Sequence, residues 1–226
     1  MSEQLILDLA QPEPPTFANF VAGANREVLA AVAGLAAGNS RENGVLLWGA
    51  PGAGKSHLLK AAAVAGRAVT YCATPLEVPA EHGAVPSSLL VVDAVDRADA
   101  SAQGRLFTRL NDLAAAGGQW LAAASMPPAR LALRDDLRTR LALGLVFEVL
   151  PLADADKPRA LVAYARERGF HLADDVIVYL LAHGRRDMTS LVATLAALDR
   201  HSLATQRSIT VPLLRGWLQR DLGLSS

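Results

Sequence analysis

Apolar residues along this chain fall into two kinds of pattern. Short unbroken runs occur at Val45-Leu46-Leu47-Trp48, at 68–73, at Leu89-Leu90-Val91-Val92, at 120–124 and at 145–149. Runs of that length, bounded by Gly, Pro or charged residues, predict strands. Between them lie stretches with helical spacing. The segment 57–63 is rich in good helix formers. Over 103–116, Leu106, Phe107, Leu110 and Leu113 share one face until Gly117-Gly118 stops the pattern. Residues 134–143 predict a short Arg-rich helix, and 16–32 carries apolar and helical signals. Strands alternating with helices imply a parallel sheet covered on both faces. Pro151 marks a change of character. Beyond it, 154–168, 173–183, 188–205 and 211–221 all read as helices, with Asp154, Asp174 and Asp187 near three of the starts, where a carboxylate is favourable. Only Ser208-Ile209-Thr210 resembles a strand there. The expected organisation is a tail (1–15), an α/β domain with a five-stranded parallel sheet (16–150) and a small all-α domain (151–226).

Composition narrows the class. At 226 residues with 51% apolar and 19% charged side chains, the chain is globular and long enough for a real core. Lys+Arg and Asp+Glu are both 22, so a strongly basic nucleic-acid footprint is absent and independent sequence-specific DNA binding is not expected. No apolar run reaches the ~18 residues of a membrane span, and no signal segment opens the chain. The single Cys72 excludes an internal disulfide and reads as a small buried hydrophobe in a cytoplasmic protein.

The chemistry concentrates at Gly49-Ala50-Pro51-Gly52-Ala53-Gly54-Lys55-Ser56. This is G-x-x-x-x-G-K-S between a predicted strand and a predicted helix, the context a phosphate-binding loop requires. Glycines let successive N–H groups turn toward phosphate oxygens, and the helix start adds its positive end. Lys55 can reach the terminal phosphates and Ser56 offers a hydroxyl to Mg²⁺. Asp93, closing the apolar run at 89–92, is the acid that completes such a magnesium site. The residue after it is Ala94, where a hydrolytic enzyme of this kind has a second acid. Asp96 is nearby at the wrong spacing.

Several segments together are similar to the DnaA-related AAA+ proteins. Thr16-Phe17-Ala18-Asn19-Phe20-Val21-Ala22-Gly23-Ala24-Asn25 resembles the leading segment of that module. The phosphate loop, the Asp93 strand, Leu137-Arg138-Thr139-Arg140-Leu141 and a helical lid follow in its order. The chain ends where an initiator would continue into a DNA-binding domain. In front stands Gln4-Leu5-Ile6-Leu7-Asp8-Leu9, which resembles the clamp-binding hexapeptide of the Hda family; Gln11-Pro12-Glu13-Pro14-Pro15 links it to the body. The resemblance implies an ADP or ATP ligand with Mg²⁺. It implies nucleotide contacts at Asn25, Gly49, Pro51, Gly52, Gly54, Lys55, Ser56 and His57, and metal contacts at Ser56 and Asp93. It further implies binding of the sliding clamp through Gln4, Leu5, Leu7 and Leu9, and stimulation of ATP hydrolysis by DnaA, with a homo-oligomer left open. Arg140 is then the arginine finger acting in trans, with Arg138 the competing candidate; the plainer alternative pairs Arg140 with Asp136 one helical turn back.

Three positions depart from the pattern: Ala94, Met126 where an Asp is frequent, and Thr189 where an arginine is expected. A threonine cannot supply a guanidinium fork, so stable nucleotide binding with weak intrinsic hydrolysis is expected. Two other readings fit a phosphate loop: a DNA-binding or helicase-loading AAA+ protein, and a small-molecule phosphotransferase. The first lacks a basic surface. The second lacks an identifiable acceptor base.

Overall fold

The computed structural model describes residues 14–66, 68–80, 88–205 and 208–221. These fall into two compact units, one spanning Pro15–Ala153 and the other beginning at Asp154.

The first unit holds α1 (Arg26–Ala36), β1 (Gly44–Trp48), α2 (Lys55–Ala65), β2 (Val69–Cys72), β3 (Leu89–Val92), α3 (Ala100–Ala115), β4 (Gln119–Ala124), α4 (Asp135–Ala142) and β5 (Leu145–Glu148). The strands form one parallel sheet in the order β2-β3-β4-β1-β5. The register sets Gly44 against Trp120 and Trp48 against Ala124. Side chains alternate between faces as the pleat requires. Leu46, Leu90, Val92, Trp120, Ala122 and Ala124 pack with Leu106, Leu110 and Leu137 of α3 and α4. Val45, Leu47, Leu89, Val91, Leu121 and Ala123 pack with Val32, Leu58 and Leu59 of α1 and α2. Both faces are covered, so the inner strands are near-continuous apolar runs. Each fully buried leucine contributes about 1.5–3 kcal/mol relative to exposure.

Caps fix the helix limits. Asp99 accepts a hydrogen bond from Ala102 N at 2.7 Å and starts α3 three residues earlier than its apolar spacing predicts. At the other end Gly117 takes φ +69° and Gly118 N donates to Leu113 O at 2.7 Å. Residues 16–25, expected to be helical, form turns instead. Thr16 N donates to Asn19 Oδ1 and Asn19 N donates to Thr16 Oγ1, a local pairing that competes with a helix. β5 is an edge strand, with Leu145 and Val146 more than a third exposed. Cys72 is buried, and burial pushes its thiol up to about 11.

The second unit contains α5 (Lys157–Glu167), α6 (Asp174–His183), α7 (Met188–Thr205) and α8 (Val211–Asp221) around Leu161, Leu180, Leu191, Leu195, Leu198 and Leu214. Lys157 Nζ donates to Asp154 Oδ1 and to Arg186 O, both at 2.6 Å, tying the start of α5 to the loop before α7. Asp187 caps α7 by accepting from Ser190 N at 2.8 Å. Arg168 bridges Asp199 at 3.2 Å and lies over the Tyr164 ring. Residues 208–210 are not a strand; Ile209 is buried in this core from a loop. Among the described residues no helix is long and apolar enough to cross a membrane.

Candidate nucleotide-binding site

The phosphate loop leaves β1 and turns into α2 at Lys55. Gly49, Gly52 and Gly54 have φ of +147°, +77° and +102°. Gly54 has a second reason to lack a side chain: a Cβ there would lie 2.8 Å from Cε2 of Phe20. Lys55 Nζ donates to Gly49 O at 2.7 Å and Ala50 O at 2.9 Å, holding its ammonium inside the curve of the loop. Burial lowers the Lys55 pKa, and the charges of Asp93 and then Asp96 act against that fall. Pro51 lies at the exposed tip of the loop, and Ser56 is exposed on the first turn of α2.

Asp93 follows β3 and accepts from Ala94 N at 2.8 Å. Ala94 adopts φ +50°, an uncommon conformation for a residue with a side chain. Asp96 is committed elsewhere. Its two carboxylate oxygens accept from Ser125 Oγ at 2.7 Å and Ser125 N at 3.2 Å, joining the loop after β3 to the end of β4. It does not replace the acid absent at Ala94. Met126, next to Ser125, is 42% exposed. Thr189 is exposed on the first turn of α7 in the other unit.

Asn25 and His57 both make contacts within the protein. Asn25 is 3% exposed. Its Nδ2 donates to Leu150 O and its Oδ1 accepts from Leu150 N, both at 2.8 Å. Both ends of the amide are thus occupied in fastening the start of α1 to the chain after β5. His57 lies on α2 one residue past Ser56, yet its Nε2 bonds Thr16 O at 2.9 Å and its ring centroid is 5.3 Å from that of Phe20. The carbonyl accepts, so Nε2 carries the hydrogen. Burial lowers the His57 pKa, the bond to Thr16 opposes this, and Lys60 adds to the fall.

On α4, Asp136 pairs with Arg134 at 2.6 Å and Asp135 with Arg138 at 2.7 Å. The pairing of Arg140 with Asp136 is therefore not formed. Arg140 instead donates from Nη2 to Leu110 O of α3 at 3.3 Å, and its buried Nε has no hydrogen-bond partner among the described residues. Gln4, Leu5, Leu7 and Leu9 lie outside the described residues.

A phosphate loop feeding α2, an acid closing β3, sheet order β2-β3-β4-β1-β5 and a following all-helical unit define an AAA+ nucleotide-binding protein. The sequence matches are more particular: residues 154–218 match the model of the Hda lid domain and residues 12–72 that of the bacterial DnaA ATPase domain, so the chain combines an Hda-like lid with a DnaA-like ATPase segment. Solved structures agree on the fold. Domain III of the replication initiation protein DnaA of Thermotoga maritima is 20% identical, with TM-score 0.78, over 93% of this chain and 98% of that domain. DnaA of Aquifex aeolicus bound to AMPPCP is 22% identical, with TM-score 0.65, over 84% of this chain and 66% of that one. The Thermotoga maritima RuvB Holliday junction branch migration motor is 16% identical, with TM-score 0.68, over 94% and 74%.

Proposed function

We propose that this protein is a nucleotide-bound negative regulator of replication initiation, which docks on the sliding clamp through its N-terminal hexapeptide and stimulates hydrolysis of DnaA-bound ATP. The observation that carries the reading is the Hda lid match in a chain that keeps a glycine-built phosphate loop while Ala94 stands in the second-acid position. The donor set suits ADP or ATP with Mg²⁺. Loop N–H groups and Lys55 would hold the phosphates, and Ser56 and Asp93 would supply oxygen ligands of the kind magnesium prefers. Asp96 is held by Ser125 and the second-acid position is Ala94, so slow intrinsic turnover is expected.

Action on DnaA needs a guanidinium delivered from outside the DnaA site. Charge builds on the γ-phosphate oxygens during transfer, and such a finger is worth about 10³–10⁵ in rate in other NTPases. Arg140 is the proposed finger; its Nη2 makes one long bond to Leu110 O, whereas Arg138 already pairs with Asp135. The test is hydrolysis of DnaA-bound ATP in the presence of DNA-loaded clamp. The parent protein stimulates it. The double variant Leu7→Ala, Leu9→Ala loses clamp binding and stimulation together. Arg140→Ala keeps clamp binding and its own nucleotide but loses stimulation. No stimulation by the parent protein refutes the reading; full stimulation by Arg140→Ala with none by Arg138→Ala moves the finger to Arg138.

A further inference from the structure

The bond from His57 to Thr16 joins two parts of the site that are otherwise separate in sequence by 41 residues. His57 follows the proposed metal ligand Ser56, and the 16–25 segment runs across the loop beside it. Three contacts place that segment. Thr16 O is held by His57 Nε2 at 2.9 Å. The Phe20 ring lies against both Gly54 and the His57 imidazole. Asn25 is fixed to the backbone of Leu150. Two of the three run through His57. A nucleotide whose phosphates occupy the loop must lay its base and sugar along whatever flanks that loop, and here the flank is this segment, with Phe17, Phe20 and the 41%-exposed Leu150 as its apolar surfaces.

We propose that His57 is a positioning residue which couples the base side of the site to the phosphate side, holding residues 16–20 where a purine base packs and leaving the phosphates to the loop itself. This rests on the nucleotide-binding reading above. It gives His57 a role in base affinity and selection, without contact to phosphate or metal. An imidazole serves here because it carries a planar face for Phe20 and a donor at the right reach for a main-chain carbonyl.

The test is calorimetric titration of the full chain with Mg-ADP, Mg-GDP and Mg-pyrophosphate. Losing one hydrogen bond of this type lowers the population of the ordered 16–20 segment by about three- to tenfold, and base affinity falls with it where that ordering is needed for binding. His57→Ala and His57→Leu are both expected to lose about three- to tenfold or more for ADP, and to narrow the ADP-to-GDP ratio. Pyrophosphate affinity falls less than about twofold in each. His57→Leu keeps an apolar body against Phe20, so it reports on the donor even if the alanine variant folds poorly. His57→Gln, whose amide can donate to Thr16 O, recovers most of the ADP affinity. Equal losses for ADP and pyrophosphate, or no loss in either variant, overturn the proposal. A parent protein that binds neither ligand overturns the nucleotide reading itself, a different result from parent binding with unaltered variants.

Discussion

Asn25→Ala tests whether the structure assigns that residue correctly. Its amide satisfies Leu150 N and Leu150 O simultaneously at 2.8 Å, in a place that is 3% exposed. Each such bond is worth about 1 kcal/mol net, and a buried group left unsatisfied costs about 1–3 kcal/mol. Truncation removes two bonds and orphans two main-chain groups, with partial relief from water at the half-exposed Leu150. The expected loss is about 2–4 kcal/mol, which for a chain of this size lowers Tm by roughly 5–15 °C. Asn25→Asp keeps the acceptor for Leu150 N but turns a carboxylate oxygen toward Leu150 O, so it should be no less damaging. Thermal unfolding is measured without nucleotide and again with saturating ADP. If Asn25 served the base directly, the nucleotide-free Tm would stay within about 1 °C of the parent and only the ADP-induced increase would shrink. That outcome refutes the structural role assigned here.

Two further predictions concern stability. Gly44→Ala would drive a Cβ into the Trp120 indole of the neighbouring strand; overpacking of this kind costs about 1–3 kcal/mol and should lower the urea midpoint with m unchanged. The Asp187 carboxyl is held below its ordinary 3.8, first by the Ser190 N–H and then by the Ser190 side chain. A depressed folded-state value means that its contribution is present above about 3.8 and disappears as pH falls through the lower folded value. Asp187→Ala should therefore show a shallower acid-side loss of stability below pH 4 in a pH series of urea titrations.

The phosphate loop was readable because its conformation demands particular residue types: three glycines at positive φ and one lysine at fixed spacing allow few other readings. The strands were readable because inner parallel strands are apolar on both faces. What periodicity does not carry is position across the sheet. Leu145-Val146-Phe147 looks like Leu89-Leu90-Val91 as a string, yet one lies at the edge and the other is wholly buried. Nor does it show the destination of a long polar side chain. Asn25 finds its partner 125 residues away on main chain that has no signature of its own. Arg140 reaches back 30 residues to a carbonyl of α3 in preference to Asp136. The turns at 16–25 were missed because a Thr and an Asn three apart satisfy each other's backbone, which a helical reading of the same apolar residues does not weigh. The resemblance to AAA+ proteins supplied roles that spacing alone did not, and His57 shows where the residue at a family position makes a contact of its own.

The order of the strands in space has a consequence in time. β1 is complete at residue 48, but both of its neighbours, β4 and β5, come at 119–124 and 145–148. Until those segments leave the ribosome, β2 and β3 can pair only with each other and β1 has both flanks open. At synthesis rates of about 5–20 residues per second, the interval before β4 emerges lasts several seconds. Non-local pairing of this kind also folds slowly once the whole chain is available. The strand leading into the phosphate loop is therefore among the last to be secured, and the nascent chain is most exposed to aggregation between the emergence of Trp48 and that of Ala124.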